Sequence, residues 1–158
     1  MGANFRELRE SQGFTGIKTI GPTLHDAIIE GEKGMSDKNL VFKVGEVKEK
    51  IAHGGSAIVR ILISEETCGA KNFAFLVNTM KAGLNCNQTG TGHSHKEEHC
   101  MFGLSGSGGI SVDGVKYPVK PNTAVFIPAG AMHFVWADEG GDFTYIIVYS
   151  PPGPEKEL

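Results

Sequence analysis

His93-Ser94-His95-Lys96-Glu97-Glu98-His99 places three of the chain's six histidines within seven residues. A fourth, His133, closes the stretch Pro128-Ala129-Gly130-Ala131-Met132-His133. Side chains alternate between the two faces of a strand, so His93 and His95 share a face when extended, and His99 has the same parity. Neutral imidazole is the commonest protein metal ligand near pH 7. If the fold returns His133 to the same place, the four rings can hold one divalent cation at about 2.0–2.2 Å. A lone His-x-His pair is a common surface or core feature. His-x-His-x3-His, followed by a strand-like run and then Pro-x-Gly-x2-His, is far more specific.

Working outward, residues 100–104 read as a strand and 105–109 as a small-residue turn. Residues 109–112 and 115–119 form a hairpin around Asp113-Gly114, a dipeptide suited to the left-handed positions of a tight turn. Pro121-Asn122 marks another turn. Apolar residues 123–127 lead to the proline, 133–137 and 143–150 are strands, and 138–142 is the turn between these two. Upstream, residues 40–44, 57–64 and 72–80 are strand candidates, and 84–92 is a loop. The run 57–64 is apolar on both faces except for Arg60, which is either an edge charge or a cation aimed into a cavity. Strands separated by turn signals at about 8–12-residue spacing predict an all-β barrel or sandwich.

With 158 residues, 22 of them glycine and 7 proline, the chain suits one strand-rich domain with a sizeable core. Its net charge of −3 argues against a broad nucleic-acid footprint. No apolar run approaches the roughly 18 residues of a membrane span, and the start lacks the apolar centre of a signal peptide. Cys68, Cys86 and Cys100 do not suggest a disulfide framework, so a cytoplasmic location is expected. Cys100, beside the cluster, is either a soft ligand or, given its opposite parity to His99, a packed core thiol, and the parity favours the second. His53, beside Gly54-Gly55, reads as a loop residue. Residues 5–10 suggest a short helix, residues 24–30 a short helix or strand, and residues 155–158 a frayed tail.

From about Phe73 to Tyr149 the chain resembles a cupin, a small jelly-roll barrel with a metal in its mouth. The first cupin motif, Gly-x5-His-x-His-x3,4-Glu-x6-Gly, is matched by His93, His95 and Gly106. Asn87 stands for its opening glycine, and His99 stands where the motif has glutamate. The second motif, Gly-x5-Pro-x-Gly-x2-His-x3-Asn, is matched by Pro128, Gly130 and His133, with Asn122 and Ala137 at its ends. The resemblance implies an RmlC-like, cupin-type jelly-roll β-barrel over residues 40–150. It also implies an N-terminal extension, residues 1–39, of extra strands and a short helix packed on the barrel or on a partner subunit, and a tail from 151 to 158. It implies a metal site of His93, His95, His99 and His133, with Glu97 or Glu98 as the alternative to His99. Four neutral imidazoles leave the ion its full charge and suit Fe, Ni, Zn or Cu, and the resemblance adds Mn, which some similar cupins use.

The expected function is that of a metal-dependent enzyme acting on a small carboxylate, enol or diketone. The reaction would be dioxygenase-like or, alternatively, a non-redox isomerisation, cyclisation or lysis. A non-catalytic small-molecule-binding cupin is the remaining alternative. Tyr145 and Tyr117 are the candidate catalytic hydroxyls. Val135 shares the face of His133, and Phe75, Met101, Phe102, Phe126 and Tyr145 are candidates for lining the cavity. A homodimer is expected, with no nucleic-acid or membrane partner.

Overall fold

Nine strands pair antiparallel into two sheets in the computed structural model, which describes residues 39–158 apart from 88, 89 and 91. They are β1 (Lys50–Ala52), β2 (Ala57–Ile63), β3 (Ala74–Met80), β4 (Glu98–Ser105), β5 (Gly108–Val112), β6 (Val115–Val119), β7 (Ala124–Ile127), β8 (His133–Ala137) and β9 (Phe143–Ser150). The larger sheet runs β1-β2-β3-β9-β4-β7 and the smaller runs β6-β5-β8. Two isolated bridges, Asn85 to Trp136 and His93 to His133, lay the loop before β4 along the free edge of β8. This is the all-β jelly roll expected from the sequence. The expectations for residues 5–10 and 24–30 lie outside the described residues.

Strict alternation puts the core between the sheets. On β9, Phe143, Tyr145, Ile147 and Tyr149 are buried, and they pair with Met80, Asn78, Leu76 and Ala74 of β3. Met101 of β4, Ile110 of β5, Val119 of β6 and Ile127 of β7 fill the space between, all at 0% exposure. Each such side chain contributes roughly 1.5–3 kcal/mol by leaving water. At the β5–β6 turn, Asp113 (φ 48°) and Gly114 (φ 81°) both take the left-handed conformation that a tight hairpin demands.

Three expectations are corrected here. Residues 40–44 do not form the first strand: Leu40 and Val41 are 70% and 75% exposed, and Val44–Glu46 is a 3-10 turn. The place beside β2 is taken instead by Lys50–Ala52, which pairs with Ala57–Val59. Residues 155–158 do not fray. Pro154–Glu157 is a 3-10 helix with Pro154 and Glu155 buried, and Leu158 packs against the core. Phe75, Phe102 and Phe126 do not enter the barrel. The pairings Phe126↔Cys100↔Val148↔Phe75 and Phe102↔Ile146 place them on the opposite face of the large sheet from His99 and Met101.

Candidate metal centre

The histidines are assembled by strand parity and by two backbone bridges. His99 sits on the inner face of β4, opposite Tyr149 of β9 and Ile127 of β7. His133 opens β8 on the inner face, in line with Val135 and Ala137. His93 N donates to His133 O (3.0 Å) and His133 N donates to His93 O (2.8 Å), so these two residues stand side by side. His95 is held by its carbonyl, which accepts from Gly130 N (2.7 Å). The two motif segments are therefore hydrogen-bonded to each other directly.

Ring centroids lie 4.4 Å apart for His93–His133, 4.7 Å for His99–His133, 5.0 Å for His93–His95 and 5.3 Å for His95–His133. His93, His95 and His133 bring one nitrogen each within 4.8 Å of one another. His99 adjoins that triad through His133 but does not complete a fourfold set at the same spacing. Glu98 lies on the exposed outer side of β4, opposite Ser150. Glu97 is buried, with its carboxylate against Gly153.

The rings are held neutral. Burial, then repulsion from the neighbouring rings, lowers His93 to about 3 and His99 to about 4. Burial also lowers His53, His95 and His133, while the nearby carboxylates of Glu97 and Glu157 act in the other direction on His95. Nδ1 of His133 lies 2.9 Å from the Ala131 carbonyl, which must receive its proton and leaves Nε2 with a lone pair. Nδ1 of His99 is buried without a hydrogen-bond partner; the Glu97 carbonyl is close enough to favour its protonation but completes no bond. Three converging neutral imidazole nitrogens are the donor chemistry that a borderline divalent cation satisfies. Fe, Ni, Zn and Cu suit an imidazole donor set, whereas Mn, the fifth ion expected, prefers oxygen ligands.

A cavity of about 580 Å³ opens over the cluster, lined among others by His53, Asn78, His93, His95, Tyr149 and Glu157. A smaller space of about 30 Å³ lies deeper, against Cys86, His99, His133, Tyr145 and Tyr149. Of the tyrosines singled out from sequence, Tyr145 lines this inner space, whereas Tyr117 is exposed on β6 outside both cavities. Burial raises the hydroxyls of Tyr145 and Tyr149 far above the ordinary phenol, so both keep their protons. Arg60 fits neither expectation: it lies outside both cavities, on β2 between β1 and β3, ion-paired with Glu49. Cys100 is exposed on the outer sheet face instead of packed in the core, because that face is open at β4.

Several lining residues were not legible as site residues. His53 stacks on His93 at 5.7 Å from a turn that it enters with φ 51°. Cys86 accepts from Val135 N (3.1 Å), and burial pushes its thiol up. Glu157 and Leu158 come from the 3-10 helix after β9. Only the His53-Gly54-Gly55 turn carried any local signal, and that signal was for a turn.

Residues 84–149 match the Cupin domain family. No curated protein matches the chain. Among solved structures, the polyketide cyclase RemF from Streptomyces resistomycificus is 26% identical, with a TM-score of 0.62 over 72% of this chain and 80% of that one. KdgF from Halomonas sp. is 18% identical (TM-score 0.62; 75% of this chain, 99% of that one). Ectoine synthase from P. lautus is 19% identical (TM-score 0.61; 75% and 83%). The last two show the shared fold. The jelly roll is thus of the cupin type.

Proposed function

We propose that this protein is a metal-binding cupin enzyme. In this reading His93, His95, His99 and His133 hold one divalent transition ion, and the substrate is a small carboxylate, enol or diketone in the cavity above. The observation that carries it is the convergence of three neutral imidazole nitrogens within 4.8 Å, with the His99 ring 4.7 Å from that of His133. An ion there would supply Lewis acidity, or redox chemistry if it were iron or copper. The chain's own residues would orient the substrate. Tyr149, which lines that cavity with its ring 5.0 Å from that of His99, would act as a protonated hydroxyl donor, since burial keeps it from serving as a base, whereas Tyr145 lines only the inner space.

Of the two reaction classes, the similarity to a polyketide cyclase favours a non-redox cyclisation, isomerisation or lysis over a dioxygenase. Oxygen uptake by metal-loaded protein separates the two. The founding test is metal content of untagged protein for wild type, His93→Ala and His99→Ala. About one transition ion per chain, lost in both variants, is expected. A wild type that takes up none of Fe, Ni, Zn, Mn or Cu on reconstitution sinks the reading. A His99→Ala protein with unchanged affinity reduces the site to three histidines.

A further inference from the structure

We infer that Glu157 determines specificity in this cavity by selecting substrates that carry an ammonium group remote from the oxyanion bound at the metal. The inference rests on the metal reading above and deepens it. Its first support is charge. Histidines aside, Glu157 is the only charged side chain among the described residues that line the cavity, which include no lysine or arginine. Among the described residues no lysine or arginine pairs with Glu157 either. Among the described lining residues a substrate carboxylate therefore meets a positive charge only at the metal end, since Lys50 lies outside the lining and is engaged by the Leu158 carbonyl. A second carboxylate would face Glu157 with nothing to offset the repulsion.

The second support is placement. Glu157 does not hang on a loose end. The Gly153 amide donates to buried Glu155 (2.7 Å), Lys50 Nζ donates to the Leu158 carbonyl (3.1 Å), and Lys156 Nζ reaches Glu65 (3.3 Å). These three tethers fix the turn on both sides of Glu157. The exposed Glu157 side chain lines the same cavity as His93 and His95. Ile51, Val59 and Leu158 line the same cavity and give it apolar surface suited to the methylenes of a short chain. An oxyanion at one end, an apolar spacer and an ammonium at the other match this arrangement; a dicarboxylate does not.

The test uses the full chain loaded with cobalt(II). Calorimetry measures binding of straight-chain ω-aminocarboxylates of increasing length, against monocarboxylates and dicarboxylates of equal length, and the cobalt absorption spectrum reports engagement at the metal. At the best length the amino acid is expected to bind about 10-fold more tightly than the monocarboxylate, a difference of about 1.4 kcal/mol. The dicarboxylate is expected to bind least. Glu157→Gln should bring the amino acid and the monocarboxylate to the same affinity while the cobalt spectrum persists. Equal affinities at every length in wild type, or a preference that survives Glu157→Gln, overturns the role of Glu157 alone. Failure of cobalt to bind the wild type overturns the metal centre, and the selectivity falls with it.

Discussion

Gly92 is where a single methyl group should disrupt the site without removing a ligand. A Cβ built there lies 2.6 Å from the carbonyl oxygen of His133, the atom that accepts from His93 N in the bridge joining the two residues. Gly92 also has φ +86°, a conformation in which an L side chain costs roughly 1–2 kcal/mol. Gly90 supplies the control. Its φ is +83°, but nothing lies within 4 Å of a Cβ there. Gly90→Ala should therefore show only the conformational cost. Gly92→Ala should add the loss of a backbone hydrogen bond, about 1 kcal/mol, for a total of roughly 2–3 kcal/mol. Because the slipped bridge carries His93 and His133, zinc affinity should fall about 10–100-fold in Gly92→Ala, the scale on which lost support of a metal ligand is felt. Urea unfolding of the metal-free proteins and competition with a chromophoric chelator measure the two quantities. If Gly90→Ala and Gly92→Ala lose equal stability and equal zinc affinity, the bridge is not what positions the rings.

Acid should weaken the metal-free fold. His93 and His99 are lowered to about 3 and about 4 when folded, against near 6.5 when unfolded, so between those values the unfolded chain binds more protons and stability drops as the pH is lowered. About 2–3 kcal/mol should be lost between roughly pH 7 and 4.5, after halving for shared repulsion and partial solvent access; a flat urea midpoint across that range would contradict the neutral cluster. Asp113→Ala should cost about 1–2 kcal/mol and loosen His133, because Asp113 Oδ1 accepts from Met132 N (2.9 Å) at the residue before it. Asp113→Asn, which keeps the acceptor, should behave as wild type in the same unfolding assay. The outer face of the large sheet carries Phe75, Phe102, Phe126, Ile146 and Val148, an apolar surface consistent with the expected homodimer. Light scattering should return twice the chain mass, and a monomer at micromolar concentration would refute the expectation.

Strand parity made much of this site readable. His93, His95 and His133 were recognisable because metal ligands need a fixed spacing and the turn Pro128-Ala129-Gly130 ends one strand and begins another. The hairpin around Asp113-Gly114 was equally plain, since few dipeptides accept two left-handed residues. The same parity, carried one step further, excludes Phe102 and Cys100 from the cavity once His99 faces inward. Phe75 and Phe126 follow only when the register to β3 and β7 is known. His53 and Glu157 were out of reach for a different reason. Each arrives from a distant part of the chain, and nothing in a turn or a tail states which barrel opening it will cover. Residues 40–44 have strand composition but no adjoining edge to pair with, because β1 already occupies the flank of β2.

The histidines are divided between the sheets: His99 belongs to the large sheet, while His133, with His93 bridged to it, belongs to the small one. An ion bound by all of them would act as a clasp between two layers otherwise joined through apolar contacts and the connecting turns. Any motion that parts the sheets would then have to give up metal coordination as well as burial. Occupancy of the site and closure of the barrel thus become a single equilibrium. An ion present at about 100 times its dissociation constant would resist opening by a further ~2.7 kcal/mol. The barrel mouth would then breathe most freely in the absence of metal, the condition in which an ion must enter.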